Sequence, residues 1–369
     1  MSASQLERWR AAGLLPRRPR QGRGRGGGSA TTCDPGEVEI AAALARHSRQ
    51  GRDLRLVTID WFAEAGQAGV FGPPVPEPPD QAVRDAMAWA IERSESERLL
   101  RMARQASTED DLDVYYRRAD GLLHSDETVG IQWTPGVVRR ALLDGEDLPD
   151  APANKYGDLR ASLLHLTAAI GIGVDEVGTD LIAEAIASLM EEINIPADAL
   201  EDITEALRDP QRSQHVREAL AYAKSKDPLD AVRKADGQQL RHARKVAYGL
   251  AGCGGLYLFH GLLMPDSAGQ AALRSQIDGL GLGRYLMHMA SKMNSQVNST
   301  SGIASCIAGC LDDWNSNIYD LLFAKLKNGP SLIPGGDTKE SGEKFFNAWL
   351  DTMNQIAWTA SGAQEVGRQ

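Results

Sequence analysis

Five prolines within seven residues, at positions 73–79, set the strongest limit on how this chain can fold. Proline lacks the backbone N–H of a helix and fixes φ, so this segment is predicted to be extended and semi-rigid. An arginine-rich stretch precedes it, and an almost wholly helical hydrophobic pattern follows it. We therefore predict an N-terminal module at 1–71, a proline-rich linker at 72–80 and a larger body at 81–369.

The body carries apolar residues at helical spacing, three to four positions apart. The clearest of these stripes ends at Pro196, and its members are Ile182, Ile186, Leu189 and Ile193. Further helices are predicted at 211–225, 229–250, 268–277, 282–294, 302–327 and 340–358. Because alternating strand patterns are nearly absent beyond Val57, the fold class is predicted to be mainly α: a small N-terminal module plus a larger α-helical bundle, with a sub-boundary near 150–155.

Charge is distributed very unevenly along the chain. The formal net charge is −10, but the first 32 residues hold seven arginines against one acidic residue, Glu7. The N-terminal arm is therefore strongly basic and the rest of the chain strongly acidic. This asymmetry is typical of a protein that meets a polyanion at one end and stays soluble through the other.

The first residues predict a short helix with defined ends. Ser4 and Glu7 have the spacing of a capping box, with Ser4 as the N-cap. Gly13 would stop the helix, after which the chain leaves through Pro16. On this helix Trp9 is predicted to be a core residue.

The segment 17–28 consists largely of arginine and glycine, and two interpretations stay open. Its arginines would grip phosphates if it were a wing beside a recognition helix. Otherwise it is a flexible, solvated loop. Its position directly after the first helix favours the wing.

A second helix is predicted to start at Asp34, which can cap it with Pro35 in the first position. Its expected apolar stripe contains Val38, Ala41/Ala42 and Ala45. A last short helix of the module would end at Trp61-Phe62.

Together these residues resemble the DNA-reading half of a MerR-type winged helix. The elements that match are Trp9, Gly13-Leu14-Leu15-Pro16, the arginine-bearing segment, Asp34–Val38, Gly51 and Leu56–Phe62. The resemblance covers about 60 residues. It implies sequence-specific binding in the major groove by Gln5, Arg8 and Arg10. It places the remaining arginines of the arm on the DNA backbone: Arg17, Arg18, Arg20, Arg23 and Arg25.

The family's first helix and its dimerising coiled coil have no counterpart in this chain. Either translation starts upstream or this is a reduced variant, and dimerisation is expected from the helical body. We predict a transcriptional regulator that binds double-stranded DNA as a homodimer, with the body as dimerisation domain and possible site for a small-molecule effector. No catalytic or metal-ligating residue and no cofactor is predicted. The alternatives are a DNA-maintenance or mobile-element protein, or a helical metal-dependent enzyme with a DNA-binding arm.

Three patterns in the body have features of a functional site. Cys306 and Cys310 have a spacing that suits a metal or a redox pair, although buried structural thiols are commoner. Asp312–Asp320 faintly resembles a calcium loop but lacks its glycine and its glutamate, so a polar helix face is the simpler interpretation. Arg241, Arg244 and Lys245 share a helical face that is either solvated or a second contact to the DNA backbone.

The location is predicted to be cytoplasmic. Four cysteines in a long chain do not make a disulfide framework, and the basic N-terminus has no apolar segment like that of a signal peptide. The uncharged stretch Val246–Met264 is predicted to be buried helix and not a membrane span.

Overall fold

The structure, a computed structural model, is mainly α-helical over the residues that it describes. These are residues 2–16, 21–22, 29–30, 34–48, 51–65, 75–106, 109–122, 159–190, 205, 207–209, 211, 213–263, 275, 277, 282, 286, 289–290, 293 and 300–328. The N-terminal part contains α1 (Ala3–Ala11), β1 (Gln21–Gly22), β2 (Ser29–Ala30), α2 (Pro35–His47) and α3 (Leu54–Ala65). The helices that follow are α4 (Asp80–Arg93), α5 (Glu95–Gln105), α6 (Glu109–Leu122), α7 (Leu159–Gly171), α8 (Val174–Val177), α9 (Thr179–Met190), α10 (Gln214–Ser225), α11 (Pro228–Lys234), α12 (Gly237–Leu263), α13 (Thr300–Gly309) and α14 (Asp313–Asn328).

The N-cap of helix α1 lies two residues before the predicted one. The hydroxyl of Ser2 accepts a hydrogen bond from the backbone N–H of Gln5 at 3.2 Å, so Ser2 and not Ser4 is the N-cap. The expectation of a Ser4 cap was wrong because both serines stand within reach of the first turn. Glu7 consequently does not close a capping box; its carboxylate lies 3.4 Å from the guanidinium of Arg10.

The end of α1 is as predicted. Gly13 adopts a left-handed φ of 75°, which glycine reaches without steric cost. The N–H of Gly13 donates to the carbonyl of Arg10, and the N–H of Leu14 donates to that of Trp9. This is the Schellman pattern, and it folds Leu14 back onto Trp9, so that both side chains are buried.

Helix α2 confirms the predicted cap and corrects the predicted stripe. Asp34 accepts from the N–H of Gly36 while the Glu37 side chain returns to the N–H of Asp34, with Pro35 in the first turn. The buried face follows Ala41 and Leu44, and Val38 is 54% exposed. Val38 was wrongly placed because one residue turns a helix by about 100°, and the buried face lines up with Glu37 instead.

Helix α3 is shared by two hydrophobic cores. Val57 and Trp61 pack with Trp9 and α2 in the N-terminal core. Ile59 and Phe62, on other sides of the same helix, belong to a central core built with α4, α11, α12, α13 and α14. A helix that is apolar all round is expected to be buried, and α3 is buried from both directions.

The segment 75–79 lies against both sides of this joint. The indole N–H of Trp61 donates to the carbonyl of Pro76 at 2.7 Å, and Val75 packs on the N-terminal core. Glu77 forms an ion pair with Arg244 of α12 at 2.6 Å. The division of the chain at 72–80 stays a prediction, but these described residues are fixed to their neighbours.

A third, separate core is made by helices α5 to α9 together with Leu207 and one side of α10. The chain passes from the central core to this one at Ser94, between α4 and α5. It returns at Asp227, between α10 and α11. The two helical cores are thus linked by two short crossings.

The single helix predicted at 302–327 is in fact two. It is interrupted after Gly309, and α14 begins at Asp313, because the Cys310-Leu311-Asp312 turn breaks the hydrogen-bond ladder. The helices predicted at 268–277 and 282–294 are described only at single positions, and 340–358 and the sub-boundary near 150–155 lie outside the described residues. Within the described part of the chain, no helix combines the length and the apolarity that crossing a membrane requires.

Candidate nucleic-acid interface

The N-terminal core holds α1 by one side and leaves the other in solvent. Trp9 is fully buried and Leu6 partly so, whereas Ser4 and Arg8 are exposed one turn apart. Residues four apart on a helix lie on the same face. Arg8 is therefore free to meet a partner along the outer face of α1.

The two other α1 residues of the predicted interface are placed less openly. Gln5 is partly buried at the flank of the helix. The Arg10 side chain is only 15% exposed, and its guanidinium lies beside Glu7. Of the three predicted base-reading residues, the structure thus presents Arg8 to solvent most fully.

The arginines of the predicted wing, Arg17, Arg18, Arg20, Arg23 and Arg25, lie outside the described residues. The chain on either side of 23–28 is described, however. Strands β1 and β2 pair antiparallel there, with Gln21 opposite Ala30 and Gly22 opposite Ser29. A pair of short strands therefore brackets the segment that carries Arg23 and Arg25.

The base of the N-terminal core is tied together by charged groups at the ends of α2 and α3. Glu64 lies 2.6 Å from the ring of His47 and 3.2 Å from Arg46. Burial alone would raise the pKa of the Glu64 carboxyl. The hydrogen bond from His47 and the charges of His47 and Arg46 outweigh burial and hold that pKa below its ordinary value.

Arg52 connects the N-terminal core to the body. It forms an ion pair with Asp60 and donates to the backbone carbonyl of His47 at 3.1 Å. The same guanidinium lies 3.3 Å from the hydroxyl of Thr300, the first residue of α13. These contacts of Arg52 hold the N-terminal core, and with it α1, in a fixed position against α13.

The basic face predicted on α12 is only partly solvated: Lys245 is exposed, whereas Arg241 and Arg244 form ion pairs. Arg244 is 5% exposed and donates to both carboxylate oxygens of Glu77 and to the carbonyl of Phe62, with its guanidinium 4.3 Å from the Phe62 ring centre. Arg241 forms an ion pair with Asp80 at 2.8 Å. Both sequence interpretations were wrong for Arg244, because its partner is 167 residues away along the chain.

The three cysteines that the structure describes are buried. Cys306 and Cys310 are buried at the end of α13, and Cys253 is buried in α12. Burial raises the pKa of the Cys253 thiol to about 12 and raises that of Cys310 as well, where the Cys306 and Asp312 neighbours add to the effect. Protonated thiols are neither good nucleophiles nor metal ligands.

The region Asp312–Asp320 does not form an ion-binding loop. From Asp313 onward it is helix, so the alternating oxygens point in different directions. Asn315 is buried and donates to the carbonyl of Gly309 at 2.7 Å. Asp312 accepts from the hydroxyl of Tyr222. Among the described residues no three His, Cys, Asp or Glu side chains are grouped to hold a metal.

The structure also brings together four arginines that the sequence reading missed. Arg93 ends α4, and Arg98, Arg101 and Arg104 follow at helical spacing on α5. They line an open groove with Glu92, Glu97 and Asp227. The three-residue spacing of Arg98, Arg101 and Arg104 was the available signal, but Glu95 and Glu97 just before them made the stretch resemble an ordinary solvated helix.

Comparison of the chain with protein-family models, with curated proteins and with solved structures found no match. The likeness to the MerR-type winged helix therefore rests on the residues quoted above alone, and it stays a prediction.

Proposed function

We propose that this protein binds double-stranded DNA through its N-terminal core and acts as a transcriptional regulator. The observation that carries the proposal is the seating of α1. Trp9 anchors one face, the turn at Gly13 fixes its end, and Arg8 stands on the outer face. A short helix held in this way has the form of a recognition helix that enters a major groove.

The arginine-rich segment supplies what a single exposed arginine cannot. Most protein–DNA hydrogen bonds go to the phosphate backbone, and they set affinity and register without reading sequence. Five arginines between positions 17 and 25 suit that role, and β1 and β2 hold the chain at either side of Arg23 and Arg25. The acidic remainder of the chain would discourage contact with DNA elsewhere.

A homodimer completes the proposal. One short helix reads only a few base pairs, and two copies related by a two-fold axis would read a palindromic site with half-sites about one helical turn apart. The dimer contact itself is assigned to the helical body, since the described residues of the N-terminal core include no coiled coil.

The test is selection from fragmented genomic DNA with the full-length protein, followed by sequencing of the retained fragments across a salt series. The wild-type chain should enrich a small set of palindromic sites. Arg23→Ala/Arg25→Ala should weaken binding to all sequences and lower the salt slope by about 2 per protomer engaged, because each phosphate contact contributes about 0.9. Arg8→Ala should instead relax the sequence preference.

Arg118→Ala is the matched control, since Arg118 is an exposed arginine on α6, in the third core. It should behave as wild type. Retention that is equal in all four proteins would refute the proposed interface. Enriched sites spread along the genome away from promoters would favour the DNA-maintenance role over regulation.

A further inference from the structure

The groove between the two helical cores has a shape and a lining that suit a small anion. It is a wide groove of about 740 Å³ that is open to solvent. The lining residues are Glu92, Arg93, Glu97, Arg98, Arg101, Arg104, Asp227 and Leu229. Small-molecule sites occur preferentially in clefts of this volume between packed units.

Both chain crossings run beside the groove. At one, Ser94 ends α4 and caps α5, accepting from the N–H of Glu97. At the other, Asp227 caps α11 through the N–H groups of Leu229 and Asp230. Arg104 fixes the second crossing from across the groove, because its guanidinium donates to the carbonyl of Lys226 at 2.9 Å. A ligand bound here would contact both cores at once.

Arg98 and Arg101 are exposed at the groove and are not held by close ion pairs. Arg93 lies with its guanidinium 4.6 Å from the ring centre of Trp89, which Arg55 covers at 4.3 Å. Arg98 is exposed and has no ion-pair partner among the described residues. Arg101 is 50% exposed and only loosely paired, at 3.7 Å, with Glu97.

Arg98 and Arg101 can act on one anion together. Side chains three residues apart on a helix are surface neighbours, with Cβ atoms about 5–6 Å apart. Guanidinium groups bind phosphate in bidentate fashion, which gives directional as well as charge recognition. Two such groups side by side match a single phosphate.

Carboxyl groups also line the groove among the arginines, and they narrow the class of ligand that it can hold. Glu97 is buried; its burial, and then the charge of Asp227, raise the pKa of its carboxyl. Asp227 is exposed at the same edge. Carboxyl groups repel a bare anion but accept hydrogen bonds from hydroxyl or amino groups.

We propose that this groove binds a phosphorylated small molecule that also carries hydroxyl groups, such as a sugar phosphate or nucleotide. Arg98 and Arg101 hold its phosphate, and Asp227 accepts from its hydroxyls. The bound molecule bridges the crossings at Ser94 and Asp227 and so joins the central core to the third core. This binding does not depend on the proposed DNA interface.

The test is calorimetric titration of the full-length chain with ribose 5-phosphate, inorganic phosphate and ribose as probes. Ribose 5-phosphate should bind more tightly than inorganic phosphate, and ribose should not bind. Arg98→Ala/Arg101→Ala should weaken ribose 5-phosphate binding at least about ten-fold, since each charge-assisted hydrogen bond is worth at least that factor. Arg117→Ala, an exposed arginine on α6, should leave it unchanged.

The N-terminal arginines also attract phosphate, so only the binding that disappears in Arg98→Ala/Arg101→Ala counts. Ribose 5-phosphate binding that is equally strong in this variant and in wild type, or absent from both, would overturn the proposal. Amide hydrogen exchange adds a second measurement: the probe should slow exchange near Glu97 and near Leu229 together. Protection at only one crossing would contradict bridging. Genomic DNA selection with Arg98→Ala/Arg101→Ala should match wild type, which separates this proposal from the DNA-binding one.

Discussion

The central core meets its two neighbours in opposite ways. Toward the N-terminal core the contact is filled: α3 contributes to both cores, and the buried Arg244–Glu77 pair closes the edge. Toward the third core the contact is open, with arginines and carboxylates around a solvent-filled groove and two short crossings. The filled joint makes a rigid mount for α1. The open joint leaves charged groups available to a ligand.

The difference follows from the helices that stand at each joint. Helix α3 is apolar on several faces, so it is stable only when neighbouring helices bury those faces. Helix α5 has one apolar face, with Leu99 and Ala103 in the third core, and its other face carries the arginines. Its sequence therefore leaves the groove side polar and wet.

Of the changes at the filled joint, Arg244→Ala should have the largest effect on the free energy of unfolding. It removes a buried guanidinium that donates to Glu77 and to the carbonyl of Phe62, and it should cost about 3 kcal/mol, because the partners are left unpaired. Glu77 is partly exposed to water, so the loss should be near the lower end of the roughly 3–5 kcal/mol typical of a broken buried ion pair. Urea unfolding of the full chain measures it.

Arg233→Ala is the matched change beside the open joint, where Arg233 pairs with Glu92 of the groove lining. Arg233 pairs with Glu92 at 2.5 Å but is 58% exposed, so its loss should cost less than about 1 kcal/mol. Equal losses for the two arginines would remove the distinction between a filled and an open joint.

A second test concerns how α5 is held beside the groove. Gly171 of α7 approaches so closely that an added Cβ would lie 2.6 Å from the backbone carbon of Ala103. Gly171→Ala should therefore destabilise the chain by about 2 kcal/mol and displace the α5 backbone at Arg104. Thermal unfolding checks the first effect, and weakened ribose 5-phosphate binding checks the second.

Gly309→Ala provides the comparison, since nothing lies within 4 Å of its added Cβ. Stability should rise by roughly 0.5 kcal/mol, the usual gain of alanine over glycine in a helix. A destabilising Gly309→Ala, or a harmless Gly171→Ala, would show that the α5–α7 approach is looser than described.

Lowering the pH should reduce the contribution of Glu64, in the N-terminal core, to stability and increase that of Glu97, at the open joint. Glu64 is the first of these two tests. Its lowered pKa means that the charged carboxylate stabilises the fold above the ordinary glutamate value of 4.5. This contribution should be lost as pH falls below 4.5 through the lower folded pKa. Glu64→Gln should be less stable than wild type at neutral pH, with a gap that closes in acid; denaturant midpoints measured down the pH scale would show it.

Glu97 should contribute the smallest change in stability with pH, and in the direction opposite to that of Glu64. Its raised pKa means that its contribution is fully present below 4.5 and is lost as pH rises through the higher folded value. Glu97→Gln should therefore be as stable as wild type in acid and more stable at neutral pH. A variant that loses stability at neutral pH would show that Glu97 is held by partners strong enough to offset its burial.

Local signals in the sequence were sufficient for three features of the N-terminal core. Gly13 as a helix stop, Asp34 with Pro35 as a helix start and Trp9 as a core residue depend on neighbours within a few positions, and the structure confirms all three. The helical character of the body followed from periodicity in the same way. The Ser4 cap failed because two serines competed for one role, which spacing alone does not resolve.

The contacts that define the joints could not be found in this way. Arg244 and Glu77 meet only after α3, α4 and α12 have packed, and neither residue carries a local sign of its partner. The groove likewise needs Asp227 beside Glu97, which are brought together by the two crossings. Helical spacing can place arginines on one face, but it does not show what lies opposite that face.

The sharing of α3 between two cores has a consequence for the order in which the protein can be made. Helices α1 to α3 leave the ribosome early, but α12, whose Arg244 lies over the Phe62 ring, is encoded only from Gly237 onward. At synthesis rates of about 5–20 residues per second, that delay is roughly ten to thirty-five seconds. Throughout it the nascent chain carries a half-covered apolar helix, which makes α3 the segment where a chaperone would be needed first.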